Sequence, residues 1–482
     1  MNESPGRSTS PKPDRIPDEL ERFVRRDTYA LLIKGRAGTG KTTLSLTILK
    51  TLGQASNFFY ISTRISPRQL FTYYPWVEHF VQALKPQQTS ENEEQVYKMS
   101  MFEDARLDEP ESLFERITNE LMDVKAPIII IDSWDAIASF MDKEARLNNE
   151  RVLQTWRERA GAKLIFISED TSYSTLDFLV DGIVELDQSV YNSCRLRQIK
   201  IIKLRGVKIV NQIYNFSLNN SIFTSFKTYN PSEYSLNKIG HRLQDDLPKR
   251  KNYLLKPYSV KGAARIRTGY PELDEVLEGG LPRKGIVILR FDPSIHIIAV
   301  TTFLAKIMAN FVMRNNPVLV QPIGNANPQT MMVLLRSYLG YSPSDNVFGR
   351  LWSDVEDPEV KQPNVLTQLA LIKKGIEFAR KRYPESVMLS VFNCEYLKSL
   401  ENELDQMNML SFLNEKTDLS IIVGTEIEAV PSPVEAHADL KLEISLINGS
   451  LFLRPISPVG PIFGLTPYNK GGIPRLNLRV LV

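Results

Sequence analysis

Short apolar runs bounded by turn residues alternate along this chain with segments of helical spacing. Tyr29-Ala-Leu-Leu-Ile-Lys-Gly35 reads as a buried strand, and the run from Lys41 to Leu49 that follows is helix-patterned. Asn57–Thr63 is β-branched and aromatic, and Ser66-Pro67 opens a further helical pattern that continues to Tyr74. Ala126-Pro-Ile-Ile-Ile-Ile-Asp132, Ala162–Ser168 and Asp181–Leu186 are three more strands, whose near-continuous apolar character suits a sheet covered on both faces. Leu196–Arg205 and Gln212–Phe216 form an extended pair that turns antiparallel, Ile16–Val24 is a short amphipathic helix, and Lys85–Gln95 is a polar loop. The alternation predicts an α/β fold with a mostly parallel sheet, helices on its faces and hairpin strands at one edge.

The pattern repeats after a break. Residues 227–261 carry Pro231, Pro248, Pro257, the cluster Lys249-Arg-Lys251 and several tyrosines, and read as a linker. That mixture of basic and aromatic residues could also grip single-stranded nucleic acid, but a solvated connector is the reading favoured. The expected organisation is a disordered tail over 1–15, a domain over 16–226, the linker over 227–261 and a second domain over 262–482. A length of 482 residues suits two domains, and 43% hydrophobic residues suffice for two cores. With 59 basic against 56 acidic residues and a net charge of +3, no global field advertises DNA or an anionic membrane. Two distant cysteines and four scattered histidines match no metal-ligand spacing. The first fifteen residues lack an apolar core, and no run is long enough to span a bilayer, so a cytoplasmic chain with no membrane partner is expected.

The chemistry lies between the first strand and its helix. Gly35-Arg36-Ala37-Gly38-Thr39-Gly40-Lys41-Thr42-Thr43 contains GxxxxGKT, a P-loop or Walker A motif in its strand–loop–helix context. Its glycines let consecutive N–H groups converge on phosphate oxygens, with the positive end of the helix behind them. Lys41 is expected to reach the β- and γ-phosphates of ATP, and Thr42 to ligand Mg²⁺. The apolar run ending at Asp132 delivers a carboxylate at the C-terminal edge of a strand, a Walker B element that would hold Mg²⁺ together with Thr42.

From the P-loop, Tyr60-Ile-Ser-Thr63, Ile131-Asp-Ser133, Val180-Asp-Gly-Ile183 and Ile202-Lys-Leu-Arg-Gly206, taken in order, the chain resembles the RecA/RadA/KaiC group of ATPases. In KaiC-like members the Lys-x-Arg-Gly segment sends two cations into the neighbouring subunit's ATP site. The resemblance therefore implies that Lys203 and Arg205 act in trans within a homo-oligomer; the alternative is that both are exposed strand charges. Arg267-Thr-Gly through Gly279-Gly-Leu-Pro282, followed by Gly285-Ile-Val-Ile-Leu289, resembles the opening of a second KaiC-type domain. The chain thus reads as two tandem RecA-like domains, the second degenerate. Its loop Arg290–Ala299 has no glycine or lysine, Ile298 is expected at the lysine position, and the strand Val387–Phe392 ends at Asn393 without an aspartate.

The first domain also departs from its group. Where the family carries glutamates that polarise the attacking water, this chain has Arg64-Ile65, and a guanidinium cannot accept a proton. Either Glu169 or Asp135 substitutes, or hydrolysis is slow, and slow hydrolysis is favoured. Arg26-Asp-Thr-Tyr29 and Ser62-Thr-Arg-Ile-Ser-Pro67 are similar to the archaeal GvpD family of gas-vesicle regulators. That resemblance implies a weak ATPase that negatively regulates gas vesicle synthesis through a protein partner, a transcriptional activator. The competing reading is a DNA-handling paralogue of RadA-type recombinases, which the balanced charge disfavours. A third is a ring-forming structural ATPase.

Overall fold

In the computed structural model, the described residues are 16–53, 58–82, 102–106, 126–142, 161–234, 265–321, 328–339, 347–349, 365–400, 402–425, 430–470 and 473–482, with isolated positions between them. The expected tail, the polar loop at 85–95 and most of the linker lie outside them. The chain divides into two compact units, one containing residues 12–227 with Leu481 and Val482, the other residues 228–480.

In the first unit, helix α1 (Asp18–Val24) precedes strand β1 (Tyr29–Gly35), and helix α2 (Lys41–Leu52) follows it. Strand β2 (Phe58–Ser62) leads into helix α3 (Pro67–Tyr73), whose N-terminus is closed by a capping box between Ser66 and Gln69. Then come β3 (Phe102–Asp104), β4 (Ile128–Asp132), β5 (Lys163–Ser168), helix α4 (Thr175–Leu179), β6 (Gly182–Tyr191), β7 (Cys194–Leu204), β8 (Ile213–Ser217) and β9 (Thr224–Ser225). They form one sheet in the order β3-β2-β4-β5-β1-β6-β7-β8-β9. Neighbours from β3 to β6 are parallel, and β6 through β9 pair antiparallel. That is the parallel sheet with a hairpin edge expected from the pattern.

Alternate residues of the central strands feed two cores. Tyr29, Leu31, Ile33, Ile128 and Ile130 pack on one face, whereas Ala30, Leu32, Ile129 and Ile131 pack on the other. The period of two explains why these strands read as unbroken apolar runs, since both faces are covered.

The second unit repeats the plan. After the short pair β10 (Arg265–Ile266) and β11 (Leu281–Pro282) come β12 (Gly285–Phe291), helix α5 (Ile297–Val312), β13 (Val318–Val320), β14 (Val347–Gly349), β15 (Leu389–Asn393) and β16 (Leu419–Thr425). Strands β17 (Leu440–Ile447), β18 (Ser450–Ser457), β19 (Phe463–Lys470) and β20 (Ile473–Val480) complete it. The sheet order is β14-β13-β15-β16-β12-β17-β18-β19-β20, which matches the first sheet strand for strand. The protein is therefore built of two tandem RecA-like α/β domains. Thr228–Tyr234, at the start of the expected linker, belongs to this second unit: the Tyr229 amide donates to Gly449 O at 2.6 Å, and its hydroxyl accepts from the His296 amide at 2.8 Å.

Candidate functional site

Strand β1 ends at the P-loop, and the backbone there takes conformations open to glycine. Gly38 and Gly40 have φ of +78° and +102°, and a Cβ on Gly40 would stand 2.7 Å from the Leu218 side chain. Gly40 is the N-cap of α2 and, having no side chain, leaves the first-turn N–H groups to point into the loop. Lys41 is buried, and its ammonium donates to the carbonyl oxygens of Gly35 at 2.6 Å and Arg36 at 3.0 Å. Burial lowers its pKa, while the Glu169 and Asp132 carboxylates pull the other way.

Beside the lysine lies an oxygen cluster. The Thr42 hydroxyl and the Tyr60 phenol both donate to Asp132 Oδ2, each at 2.6 Å. Burial, and then the Asp132 charge, raise the Tyr60 pKa well above the usual phenol range, so Tyr60 is a donor here. Thr63 joins the ends of β2 and β4: its amide donates to Asp132 O at 2.8 Å, and its hydroxyl accepts from the Ser133 amide at 2.9 Å.

Arg64, next in the chain, reaches over the end of β4 to Glu169, with Nη1 2.5 Å from Oε1. The same oxygen stands 3.9 Å from Lys41 Nζ. Glu169 follows β5 directly, and its amide donates to Asp135 Oδ2 at 2.5 Å while the Ser168 hydroxyl donates to Asp135 Oδ1 at 2.9 Å. Of the two substitute bases expected, Asp135 is thus engaged in holding the end of β5, and Glu169 sits beside the P-loop lysine.

Lys203 and Arg205 are elsewhere. Because β7 runs antiparallel to β6, Leu204 pairs with Gly182, which pairs with Leu31 in the half of β1 away from the P-loop. Lys203 Nζ donates to Asp177 O at 3.0 Å and Val180 O at 2.7 Å, closing the end of α4, and the half-exposed Arg205 contacts Asp181 at 3.3 Å. The structure therefore gathers Gly35 through Thr43 and Asp132 in one place and leaves Lys203 about 10 Å and Arg205 about 16 Å from Gly35 by strand rise alone.

Three contributors escaped the sequence. The buried Arg197 on β7 donates to Gly38 O at 2.9 Å, Tyr60 fixes Asp132, and the buried pair Lys34–Asp177 at 2.7 Å holds α4 against β1. Only the position of Lys34 immediately before Gly35 offered a sequence signal.

In the second unit the strand registers place Phe291 at the position of Gly35 and Asn393 at that of Asp132. Both loops then span five residues before the helix, so Ile297 occupies the lysine position, one residue before the Ile298 expected. Asn393 accepts the Glu395 amide at 3.1 Å, as a local turn does.

Phosphate donors, a lysine and hard oxygen ligands at one strand edge make the first unit a nucleotide-binding domain. Among the described residues no three His, Cys, Asp or Glu side chains cluster, so a divalent ion here would rely on Thr42, Asp132 and the nucleotide's own oxygens. Residues 20–205 match the family described as GvpD gas vesicle protein, P-loop domain. Protein GvpD2 of Halobacterium salinarum is 24% identical over 500 aligned positions, which cover 97% of this chain and 96% of the relative. Protein GvpD1 of the same organism is 27% identical over 330 positions, covering 65% of this chain and 57% of the relative. Nucleotide site, sheet order and these matches together make the chain a GvpD-like P-loop protein of RecA type.

Proposed function

We propose that this chain is an ATP-dependent regulatory switch that restrains gas vesicle synthesis through a transcriptional activator. The supporting observation is the asymmetry between its two units. One keeps Lys41 with the Thr42–Asp132 cluster, while the other keeps the same nine-strand order with Ile297 and Asn393 in their places. A unit that retains its core without charge for phosphate or metal is suited to recognition, and the intact unit to sensing nucleotide.

Mg²⁺, when bound, would neutralise phosphate charge and orient the terminal phosphoryl group. Thr42 and Asp132 are the residues to hold it, with Tyr60 keeping the Asp132 carboxylate in place. Lys41 would turn from the Gly35 and Arg36 carbonyls to the phosphates. Hydrolysis is slow in this reading. Arg64 stands where a carboxylate would be needed and cannot take a proton from water, and Asp135 is engaged by Ser168 and the Glu169 amide. No helix among the described residues is long and apolar enough to cross a membrane, which accords with a partner in the same aqueous compartment.

ATP controls a partner only through a difference in affinity between two states. Affinity capture from the native organism in Mg·ATP, with the wild type and Lys41→Ala side by side, tests this. A transcriptional activator enriched by the wild type alone is expected. Equal capture by both proteins, with DNA retained irrespective of sequence, would abandon the switch for DNA handling.

A further inference from the structure

One carboxylate oxygen in the first unit is shared by two cations. Glu169 Oε1 accepts from Arg64 at 2.5 Å and stands 3.9 Å from Lys41 Nζ. A terminal phosphate oxygen presents this same chemistry, negative oxygen between a P-loop lysine and a guanidinium. The arrangement is set by the sheet. In the order β2-β4-β5-β1, Arg64 leaves the end of β2 and Glu169 the end of β5, two strand spacings or roughly 10 Å apart. The arginine therefore lies across the end of β4, where Asp132 stands, and closes the edge of the P-loop opposite Arg197.

Both partners are anchored from behind. Thr63 ties the residue before Arg64 to Asp132 O and the Ser133 amide, and Asp135 holds the Glu169 amide. Glu169 is thus presented to the lysine by a fixed backbone, with only its side chain to move. The second unit offers a comparison. By strand register, Thr425 takes the position of Glu169, so the acid is missing where the lysine position is Ile297.

We infer that Glu169 sets the preference of this site between nucleoside diphosphate and triphosphate, by occupying the place of the γ-phosphate between Lys41 and Arg64. The inference rests on the nucleotide-binding reading above. A diphosphate leaves the Arg64–Glu169 pair in place. A triphosphate must take both cations from the carboxylate and push it aside, so its extra charge gains less than in a site without the acid. Once displaced, Arg64 passes to the γ-phosphate, and the side chain of Glu169 reports which nucleotide is bound.

The test is competitive displacement of a fluorescent nucleotide from the full chain by Mg·ADP and by Mg·ATP. Glu169→Gln keeps the shape and removes the charge. It should raise the preference for ATP over ADP by about fivefold or more. Arg64→Gln should lower that preference, since the cation that receives the γ-phosphate is lost. Glu169→Ala, checked for folding by its melting temperature, should act in the same direction as Glu169→Gln. If both nucleotides bind and neither Glu169 variant changes their ratio, the inference falls while nucleotide binding stands. If the wild type binds neither nucleotide, the reading beneath it falls too.

Discussion

Asp132 Oδ2 receives two short hydrogen bonds, from Thr42 and from Tyr60, and only the first comes from the P-loop. Removing the phenol with Tyr60→Phe leaves a buried carboxylate with one donor fewer. A hydrogen bond to a charged group contributes about 1.5–3 kcal/mol, so the variant should be destabilised by that order in urea unfolding. An unchanged midpoint would mean that Asp132 needs no second donor. The P-loop was legible because its glycines, lysine and threonine are contiguous, and a loop of that form needs only its own neighbours to close. Tyr60, Arg197 and the Arg64–Glu169 pair were not legible as contacts, because each depends on which strands lie side by side. Tyr60 is 72 residues from Asp132, and Arg197 is 159 residues from Gly38.

At the scale of elements, apolar runs named β1, β2, β4 and β5 to within two residues, since runs covered on both faces carry no polar interruptions, whereas β6 continues five residues beyond the expected Leu186 through the polar, exposed end of its hairpin. Register was less accessible: the one-residue difference between Ile298 and Ile297 appears only when β12 is aligned through its neighbours β16 and β17. Lys34 and Asp177 form an ion pair with both side chains nearly inaccessible to solvent, and Lys34 also donates to Ser172 O at 2.6 Å. Lys34→Met would leave Asp177 buried without its partner, a change that costs about 3–5 kcal/mol when a buried pair is broken from one side. Denaturant unfolding checks it, and a loss below about 1 kcal/mol would show that the segment after β5 relaxes into solvent.

A second element carries a pH dependence. On α5, Lys306 lies 4.0 Å over the Tyr270 ring, and burial pushes its amine down to about 8, with Glu272 and Asp274 raising it and Arg475 lowering it. Above that pH the folded unit holds the amine neutral, while the unfolded chain keeps it charged to about 10.4. Unfolding between these values takes up a proton, so this group adds stability as pH rises through the window. Between pH 8 and 9.5 the wild type should gain on the order of 1–2 kcal/mol over Lys306→Met. Parallel pH profiles of the two would contradict the assignment.

For the whole molecule, two sheets share one strand order, the described P-loop cluster belongs to the first, and that unit's own topology keeps Lys203 and Arg205 away from its P-loop. A nucleotide contact from these residues therefore requires another copy of the chain. In the proposed switch they act in trans, where such groups can be worth on the order of 10³–10⁵ in rate. Specific activity should rise with protein concentration, and Arg205→Ala should depress it while nucleotide affinity stays the same. Arg205 is the cleaner choice, because Lys203 also closes the end of α4. Activity independent of concentration across assembly would return both residues to the role of strand charges.

The central claim is that nucleotide chemistry resides in the first unit alone. Calorimetric titration of the full chain with Mg·ATP measures it most directly. Close to one nucleotide should bind per chain, and Lys41→Ala should weaken that binding by about 1.5–3 kcal/mol, the contribution of a charge-assisted contact. A stoichiometry near two, or binding untouched by Lys41→Ala, would contradict the account.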